Sequence, residues 1–138
     1  MIVYVDSSVV LRVVLRAAGS LKEWKGIDRF ISSALLTVEC LRTIHRLHLL
    51  EPLADDEFAE RVEATEKVLA NVELVGLDRI VLERASGSFS LPVRTLDAIH
   101  LATAMLWRER EDANLVFATH DRQLALAARA SGFAVIGL

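Results

Sequence analysis

The sequence predicts an α/β fold of three layers, in which a central parallel β-sheet is flanked by helices on both faces. Two observations predict it. Short apolar segments without polar alternation, typical of strands that are buried on both faces, recur along the chain. A longer segment with helical periodicity follows most of them, and strands that alternate with helices form parallel sheets.

Length and composition favour a single domain, and we expect residues 1–138 to form it. Apolar residues make up 53% of the chain, which predicts a substantial core rather than disorder. No apolar run approaches the roughly 20 residues of a membrane span, and the N-terminus lacks the pattern of a signal peptide. One cysteine, Cys40, excludes an internal disulfide. We therefore expect a cytoplasmic protein without membrane association.

The charge balance argues against a protein that coats nucleic acid. Lysine and arginine number 16 against 19 acidic residues, which gives a net charge of −3. Nonspecific nucleic-acid binding proteins are usually basic, so a role with nucleic acid would need local basic clusters or bound metal. A small acidic excess is compatible with carboxylates gathered around a divalent cation.

In the first half of the chain, a buried strand at 2–5 comes first. Asp6 then offers an N-cap to a helix at 9–16. A single helical turn at 21–25 and a weak strand at 27–31 follow. Ser32 and Ser33 are predicted to cap a long helix at 34–50, which Pro52 follows.

The second half continues the alternation of helices and strands. Its predicted helices lie at 55–70, at 78–85, around Asp97 with an end in the charged turn at 108–112, and at 122–130. Its predicted strands lie at 72–75, 115–118 and 133–136, and residues 86–92 form a loop.

Asp97 lies in the first turn of its helix on an apolar face. The residues three, four and seven positions later are His100, Leu101 and Ala104, and none of them is a basic partner such as lysine or arginine. A carboxylate on such a face must bind a metal, accept hydrogen bonds or be protonated. We expect His100 to form a structural hydrogen bond with Asp97.

Three further acids are predicted to share the same edge of the sheet. Asp6 and Asp121 leave two different strands at their carboxyl ends, where α/β sheets bind ligands, and Glu39 lies in the second turn of the helix at 34–50. Carboxylates are hard oxygen ligands that suit Mg²⁺ or Mn²⁺. The chemistry typical of such a cluster is phosphodiester hydrolysis. Ser7 and Thr119 provide hydroxyls beside these acids.

Each acid also has an ordinary structural interpretation. Asp6 and Asp121 could serve merely as helix N-caps, and Asp97 could merely interact favourably with the dipole of its helix. Glu39 could form a surface pair with Arg42. Four arginines could bind nucleic-acid phosphates or simply belong to a solvated face or a protein interface: Arg12, Arg16, Arg42 and Arg46.

Four segments of the sequence, taken together, resemble the successive blocks of the PIN domain in the style of the VapC ribonuclease toxins. They are Tyr4-Val5-Asp6-Ser7-Ser8, the segment from Leu36 to Arg42, the segment from Leu96 to Ala104, and the segment from Ala118 to Leu124. The match extends over nearly the whole chain, and the four segments occur in the family's order. Ser7 stands where the family more often has threonine.

This resemblance implies a Mg²⁺- or Mn²⁺-dependent endoribonuclease that acts as the toxin of a toxin–antitoxin pair. Its acidic pocket would consist of Asp6, Glu39, Asp97 and Asp121. The resemblance also implies an RNA substrate, a homodimer and a cognate VapB-like antitoxin that blocks the pocket.

Two other functions stay open. A phosphatase or phosphoacceptor could use Asp6 as its nucleophile, although that chemistry usually needs a second acid where this chain has Ser8. A PIN-fold protein could also serve a binding or interaction role without turnover.

Overall fold

The computed structural model of the chain describes residues 1–50 and 52–138. Within these ranges the strands form one five-stranded parallel sheet in the order β3-β2-β1-β4-β5. Its strands are β1 (Ile2–Val5), β2 (Arg29–Ser33), β3 (Val72–Val75), β4 (Leu115–Ala118) and β5 (Val135–Ile136). The predicted parallel sheet is confirmed.

Helices pack on both faces of this sheet. They are α1 (Ser7–Val14), α2 (Leu35–Leu49), α3 (Asp55–Leu69), α4 (Arg79–Ala85), α5 (Thr95–Glu111) and α6 (Arg122–Ala130). Val3 and Val5 of β1 share one apolar core with α1 and α2. Tyr4 of the same strand shares the other core with α5 and α6. The alternating side chains of β1 therefore separate two cores, and the predicted three-layer arrangement is confirmed.

Several element boundaries differ from the prediction. The helix expected at 9–16 is α1 at Ser7–Val14, because it begins directly after its N-cap Asp6. β2 lies two residues later than expected, because Ser32 and Ser33 pair with β3 and Ser32 Oγ donates to the buried carbonyl of Val5 at 2.6 Å. Ser32 is thus a strand residue and does not cap α2, whereas Ser33 Oγ accepts from the Leu35 N–H at 3.1 Å. α5 continues through the predicted charged turn to Glu111.

The last strand is shorter than predicted. The N–H of Phe133 donates to Ala128 O at 3.0 Å, so this residue belongs to the end of α6. A single 3₁₀ turn at Trp24–Gly26 replaces the helical turn predicted at 21–25. No helix in the described ranges is long and apolar enough to cross a membrane.

The strand order reverses at the carboxyl ends of β1 and β4, which makes this edge of the sheet the expected position of a ligand-binding crevice. The chain leaves β1 toward β2 on one side, whereas β4 and β5 lie on the other side. Ligands of doubly wound sheets bind at such a reversal of strand order. Val5 pairs with Ala118 at the ends of these two strands, so Asp6 and Thr119 emerge side by side.

Candidate functional site

Asp6 lies at the centre of the polar residues in this crevice. It is 5% exposed and is the N-cap of α1, where its Oδ1 accepts from the Val9 N–H at 3.3 Å. Ser8 Oγ donates to Oδ1 and Thr119 Oγ1 donates to Oδ2, both at 2.6 Å. Both carboxylate oxygens are thus held by hydroxyl groups.

The same two hydroxyls also fix the loop after β4. Ser8 Oγ accepts from the His120 N–H at 2.9 Å, and Thr119 Oγ1 accepts from the Asp121 N–H at 3.0 Å. Each hydroxyl therefore links the buried carboxylate of Asp6 to the backbone that carries Asp121. This network sets the position of α6 relative to the end of β1.

Burial raises the pKa of Asp6 above its ordinary value, because desolvation disfavours the charged carboxylate. The hydrogen bonds from Ser8 and Thr119 act in the opposite direction, as do the His100 imidazole and the Val9 N–H. These donors offset part of the cost of burying a carboxylate.

Asp97 is half-buried in the first turn of α5. In the described part of the protein, its side chain forms no hydrogen bond and no ion pair. Its pKa is raised above the ordinary value, first by burial and then by the negative charge of Asp121. Asp6 and Glu39 raise the pKa further, whereas His100 lowers it. Each of the other three acids thus lies near enough to Asp97 to disfavour its negative charge.

The expected hydrogen bond between Asp97 and His100 is wrong. His100 Nε2 contacts Glu39 Oε1 at 2.5 Å, and Nδ1 contacts the hydroxyl of Tyr4 at 2.8 Å. The alternative of a Glu39–Arg42 surface pair is also wrong, because Glu39 is only 19% exposed and its partner is His100. Asp97 and His100 do lie one turn apart on α5, as the spacing predicted, but the carboxylate that contacts His100 belongs to α2.

Asp121 is the most exposed member of the cluster and is the N-cap of α6. Its Oδ1 accepts from the Leu124 N–H at 2.8 Å. The capping roles expected for Asp6 and Asp121 are therefore present. A carboxylate has about four lone-pair sites, so an aspartate that accepts capping hydrogen bonds can still serve as a ligand.

The donor chemistry of this cluster fits a hard divalent cation. It supplies four carboxylates, and no lysine or arginine pairs with Asp6, Asp97 or Asp121 within residues 1–50 and 52–138. The side chains are not drawn together into a closed cage, because no three His, Cys, Asp or Glu side chains of the described residues converge closely enough to hold an ion. The site is an open rim of mutually repelling acids.

The other predicted residues lie around this rim. Ser7 is the first residue of α1 and makes no side-chain hydrogen bond in the described ranges. Arg42 and Arg46 are exposed on α2, without an ion pair to any residue that the structure describes. Arg12 donates to the carbonyl of Gly19 at 3.1 Å.

Two grooves extend the positive surface around Arg12. One is lined by Arg12, Arg16, Lys22 and Lys25. The other is of mixed charge: it is lined by Arg12, Lys22, Glu23, the C-terminal Leu138 and His120, which lies between Thr119 and Asp121 in the chain. The basic surface therefore adjoins the loop that carries part of the acidic rim.

Sequence reasoning missed three contributors to the site. Ser8 takes the carboxylate-binding role expected of Ser7, and Tyr4 reaches the site from within β1. Gly137 is the third: its φ is +107°, and a Cβ there would lie 2.5 Å from the carbonyl oxygen of Thr119. Only glycine fits against this strand end. The carbonyl of Gly137 accepts from the Nδ1–H of His120 at 2.5 Å. The sequence signal was a glycine directly after an apolar strand.

Comparison with known proteins identifies the family of this fold. Residues 3–130 match the family model of the PIN domain. Ribonuclease VapC46 of Mycobacterium tuberculosis is 32% identical over 142 aligned positions, which cover 97% of this chain and 95% of the relative. Ribonuclease VapC35 of the same organism is 28% identical over 141 positions with the same coverage.

Solved structures show the same fold. A VapBC-5 structure from M. tuberculosis, described as a member of the VapBC family of toxin–antitoxin systems, superposes with a TM-score of 0.63 at 22% identity over 99% of this chain and 98% of the other. PAE2754 from Pyrobaculum aerophilum superposes with a TM-score of 0.58 at 18% identity, over 96% of this chain and 81% of the other.

Proposed function

The chain belongs to the PIN domain family, in its VapC-type group, and from this premise we propose that it is a divalent-metal-dependent endoribonuclease. The ribonuclease activity is suggested by the relatives that are named ribonuclease VapC. The metal dependence and the site are supported by the carboxylates at the carboxyl ends of β1 and β4.

One observation carries the proposal. Asp97 is half-buried beside other acids: burial first, and then Asp121, Asp6 and Glu39, raise its pKa, and no lysine or arginine in the described residues pairs with it. A cluster of like charges is costly when it stands alone and becomes favourable when a cation enters it. We propose that Asp6, Glu39, Asp97 and Asp121 hold Mg²⁺ or Mn²⁺.

In the proposed reaction the chain's own residues bind and orient. Mg²⁺ or Mn²⁺ at such a site supplies a water activated for attack on phosphorus and neutralises charge on the leaving oxygen. Ser8 and Thr119 hold Asp6 in one orientation, and Asp97 and Asp121 contribute the less buried carboxylates. Ser7 offers a hydroxyl at the entrance of α1 that could orient a ligand.

RNA binding is proposed for the arginines around the rim. Arg42 and Arg46 are exposed and without ion pairs to described residues, and Arg12 and Arg16 line the basic groove. Guanidinium groups bind phosphate oxygens by charge-assisted hydrogen bonds. These positive side chains compensate locally for the net negative charge of the chain.

We propose a VapB-like antitoxin and a second copy of this chain as partners. The first is supported by the likeness to VapC relatives and to the VapBC-5 structure. The second is supported by exposed apolar side chains on α4 and at the start of α5, namely Ile80, Leu82 and Leu96. Sedimentation would test the dimer, and stoichiometric inhibition of cleavage by a purified antitoxin would test the first partner.

The phosphoacceptor alternative is disfavoured by the surroundings of Asp6. Its side chain is buried, and both carboxylate oxygens accept hydrogen bonds from hydroxyl groups. A nucleophilic carboxylate needs an oxygen that can approach phosphorus. A binding role without turnover is tested by the same experiment as the nuclease: incubation of RNA with Mn²⁺, Mg²⁺ or chelator, with Asp97→Asn alongside.

A further inference from the structure

Glu39 is held by a histidine from the opposite layer of the fold. It extends from α2, which packs with Val3 and Val5 on one face of the sheet. His100 extends from α5, which packs with Tyr4 on the other face. The contact of 2.5 Å between Nε2 and Glu39 Oε1 therefore joins the two helical layers across the edge of the sheet.

The second nitrogen of this imidazole is also occupied. Nδ1 contacts the hydroxyl of Tyr4 at 2.8 Å, and the Tyr4 ring stacks on Phe117 with 5.0 Å between centroids. The Tyr4 side chain is fully buried, and a phenol keeps its proton at neutral pH, so its hydroxyl has a proton to donate. Since a carboxylate only accepts, Nε2 donates to Glu39, and the Nδ1 of a neutral imidazole then accepts from Tyr4.

His100 cannot itself contact a substrate. Its side chain is 1% exposed, and each ring nitrogen already has a partner. Any effect of the imidazole on a reaction must therefore pass through Glu39. The chain Tyr4–His100–Glu39 resembles the arrangement in which a buried polar group fixes a side chain that binds a metal.

We infer that Tyr4 and His100 are positioning residues that hold the carboxylate of Glu39 for cation binding at the acidic rim. The inference rests on the proposed metal-dependent function and adds the two groups that act behind Glu39. Within the described residues, His100 is the one side chain that bonds to this carboxylate. Without it, Glu39 would lose its fixed rotamer near three like charges.

The test is Mn²⁺ affinity measured by calorimetry on folded, metal-free protein. His100→Leu should weaken binding by about 10-fold, the lower end of the usual effect of such supporting groups. His100→Gln keeps an amide N–H for Glu39 and should recover part of the loss. Tyr4→Phe removes one oxygen atom, keeps the stacked ring and should weaken binding by a smaller factor.

Two further variants separate positioning from general damage to the core. Thr103→Val changes another buried polar residue of α5, whose hydroxyl bonds only to the Ile99 carbonyl, and should leave Mn²⁺ affinity unchanged. In a Glu39→Gln background, His100→Leu should cause no further loss, because its effect passes through the carboxylate. If His100→Leu does not fold, the Tyr4→Phe variant supplies the same comparison.

Affinity that is unchanged in His100→Leu and Tyr4→Phe would overturn the inference and leave the proposed metal site intact. Equal losses in the Glu39→Gln and wild-type backgrounds would also overturn it, because His100 would then act elsewhere. A wild-type protein that binds no Mn²⁺ would overturn the metal site itself, and the positioning role with it.

Discussion

The side chains of Asp6 and Thr119 are hydrogen-bonded at 2.6 Å although 113 residues separate them in the chain. They meet because β1 and β4 are neighbours in register and both residues directly follow these strands. The hydroxyl also accepts from the N–H of Asp121. One threonine thus connects the most buried acid of the rim with the most exposed one.

Thr119→Val should destabilise the folded protein and weaken the site. Valine keeps the shape but leaves a buried carboxylate without one of its donors, which costs about 2 kcal/mol. The pKa of Asp6 should rise further, because the hydrogen bond from Thr119 lowers it. Chemical denaturation of both proteins at neutral pH measures the loss.

Thr119→Ser is the matched control for this variant. It keeps the hydroxyl and should retain most of the stability that Thr119→Val loses. A Thr119→Val protein as stable as wild type would show that the hydrogen bond between Thr119 and Asp6 contributes nothing to the fold.

Metal-free Asp97→Asn should gain stability over wild type as the pH rises. Burial and the neighbouring acids raise the pKa of Asp97 in the folded state above the ordinary 3.8 of the unfolded chain. Between these two values the folded protein binds a proton that the unfolded chain has released, so wild-type stability falls as pH increases through this window. Asparagine does not titrate and avoids this loss.

Denaturation of both proteins in chelator, from about pH 4 to about pH 8, measures the difference. We expect the advantage of Asp97→Asn to increase with pH and then to level off above the raised pKa. Asp56→Asn, the same change at an exposed position in the first turn of α3, is the matched control and should show no such increase. An advantage of Asp97→Asn that is constant or shrinks with pH would contradict the repulsive cluster.

Divalent metal should stabilise wild type more than Asp97→Asn. A ligand that binds only the folded state at 100 times its dissociation constant adds about 2.7 kcal/mol. Removing one of the four carboxylates weakens binding and reduces this gain. Melting temperatures with Mn²⁺ and with chelator measure it, and equal increases in the two proteins would remove the argument for a metal at this rim.

Arg42→Gln and Arg46→Gln should each reduce the salt dependence of RNA binding. Each phosphate contact contributes about 0.7 to the slope of log K against log salt for a single strand, so loss of one contact lowers the slope by about that amount. Binding is measured in an Asp97→Asn background, which prevents cleavage. Arg110→Gln, near the end of α5 opposite to Asp97, is the control and should leave the slope unchanged. Slopes that are also unchanged in Arg42→Gln and Arg46→Gln would exclude phosphate contacts by these two arginines.

The local pattern predicted the strands and the acids at their ends well. β1 and β4 were found at their predicted residues because short apolar runs without alternation belong to strands buried on both faces. β3 was also found at its predicted residues, although it is a largely exposed edge strand. Asp6 and Asp121 were identified from their position directly after strands, where their capping role also follows from local sequence.

Contacts between layers could not be predicted in the same way. Glu39 and His100 lie 61 positions apart on helices that pack against opposite faces of the sheet, so helical spacing pointed to Asp97 as the partner instead. Ser7 and Ser8 both follow Asp6 within two positions, and the backbone direction at the start of α1 decides that the hydroxyl of Ser8 reaches the carboxylate. Such choices depend on packing rather than on periodicity.

RNA cleavage by purified, antitoxin-free protein tests the central claim most directly. Total cellular RNA is incubated with Mn²⁺, with Mg²⁺ and with chelator, and folded Asp97→Asn protein is run in parallel. We expect discrete fragments that require metal, and a loss of about 100-fold or more in Asp97→Asn, the scale on which one preorganised charged group acts in catalysis. Cleavage that persists in chelator or in Asp97→Asn would contradict the proposed site, and no cleavage at all would favour a binding role for this fold.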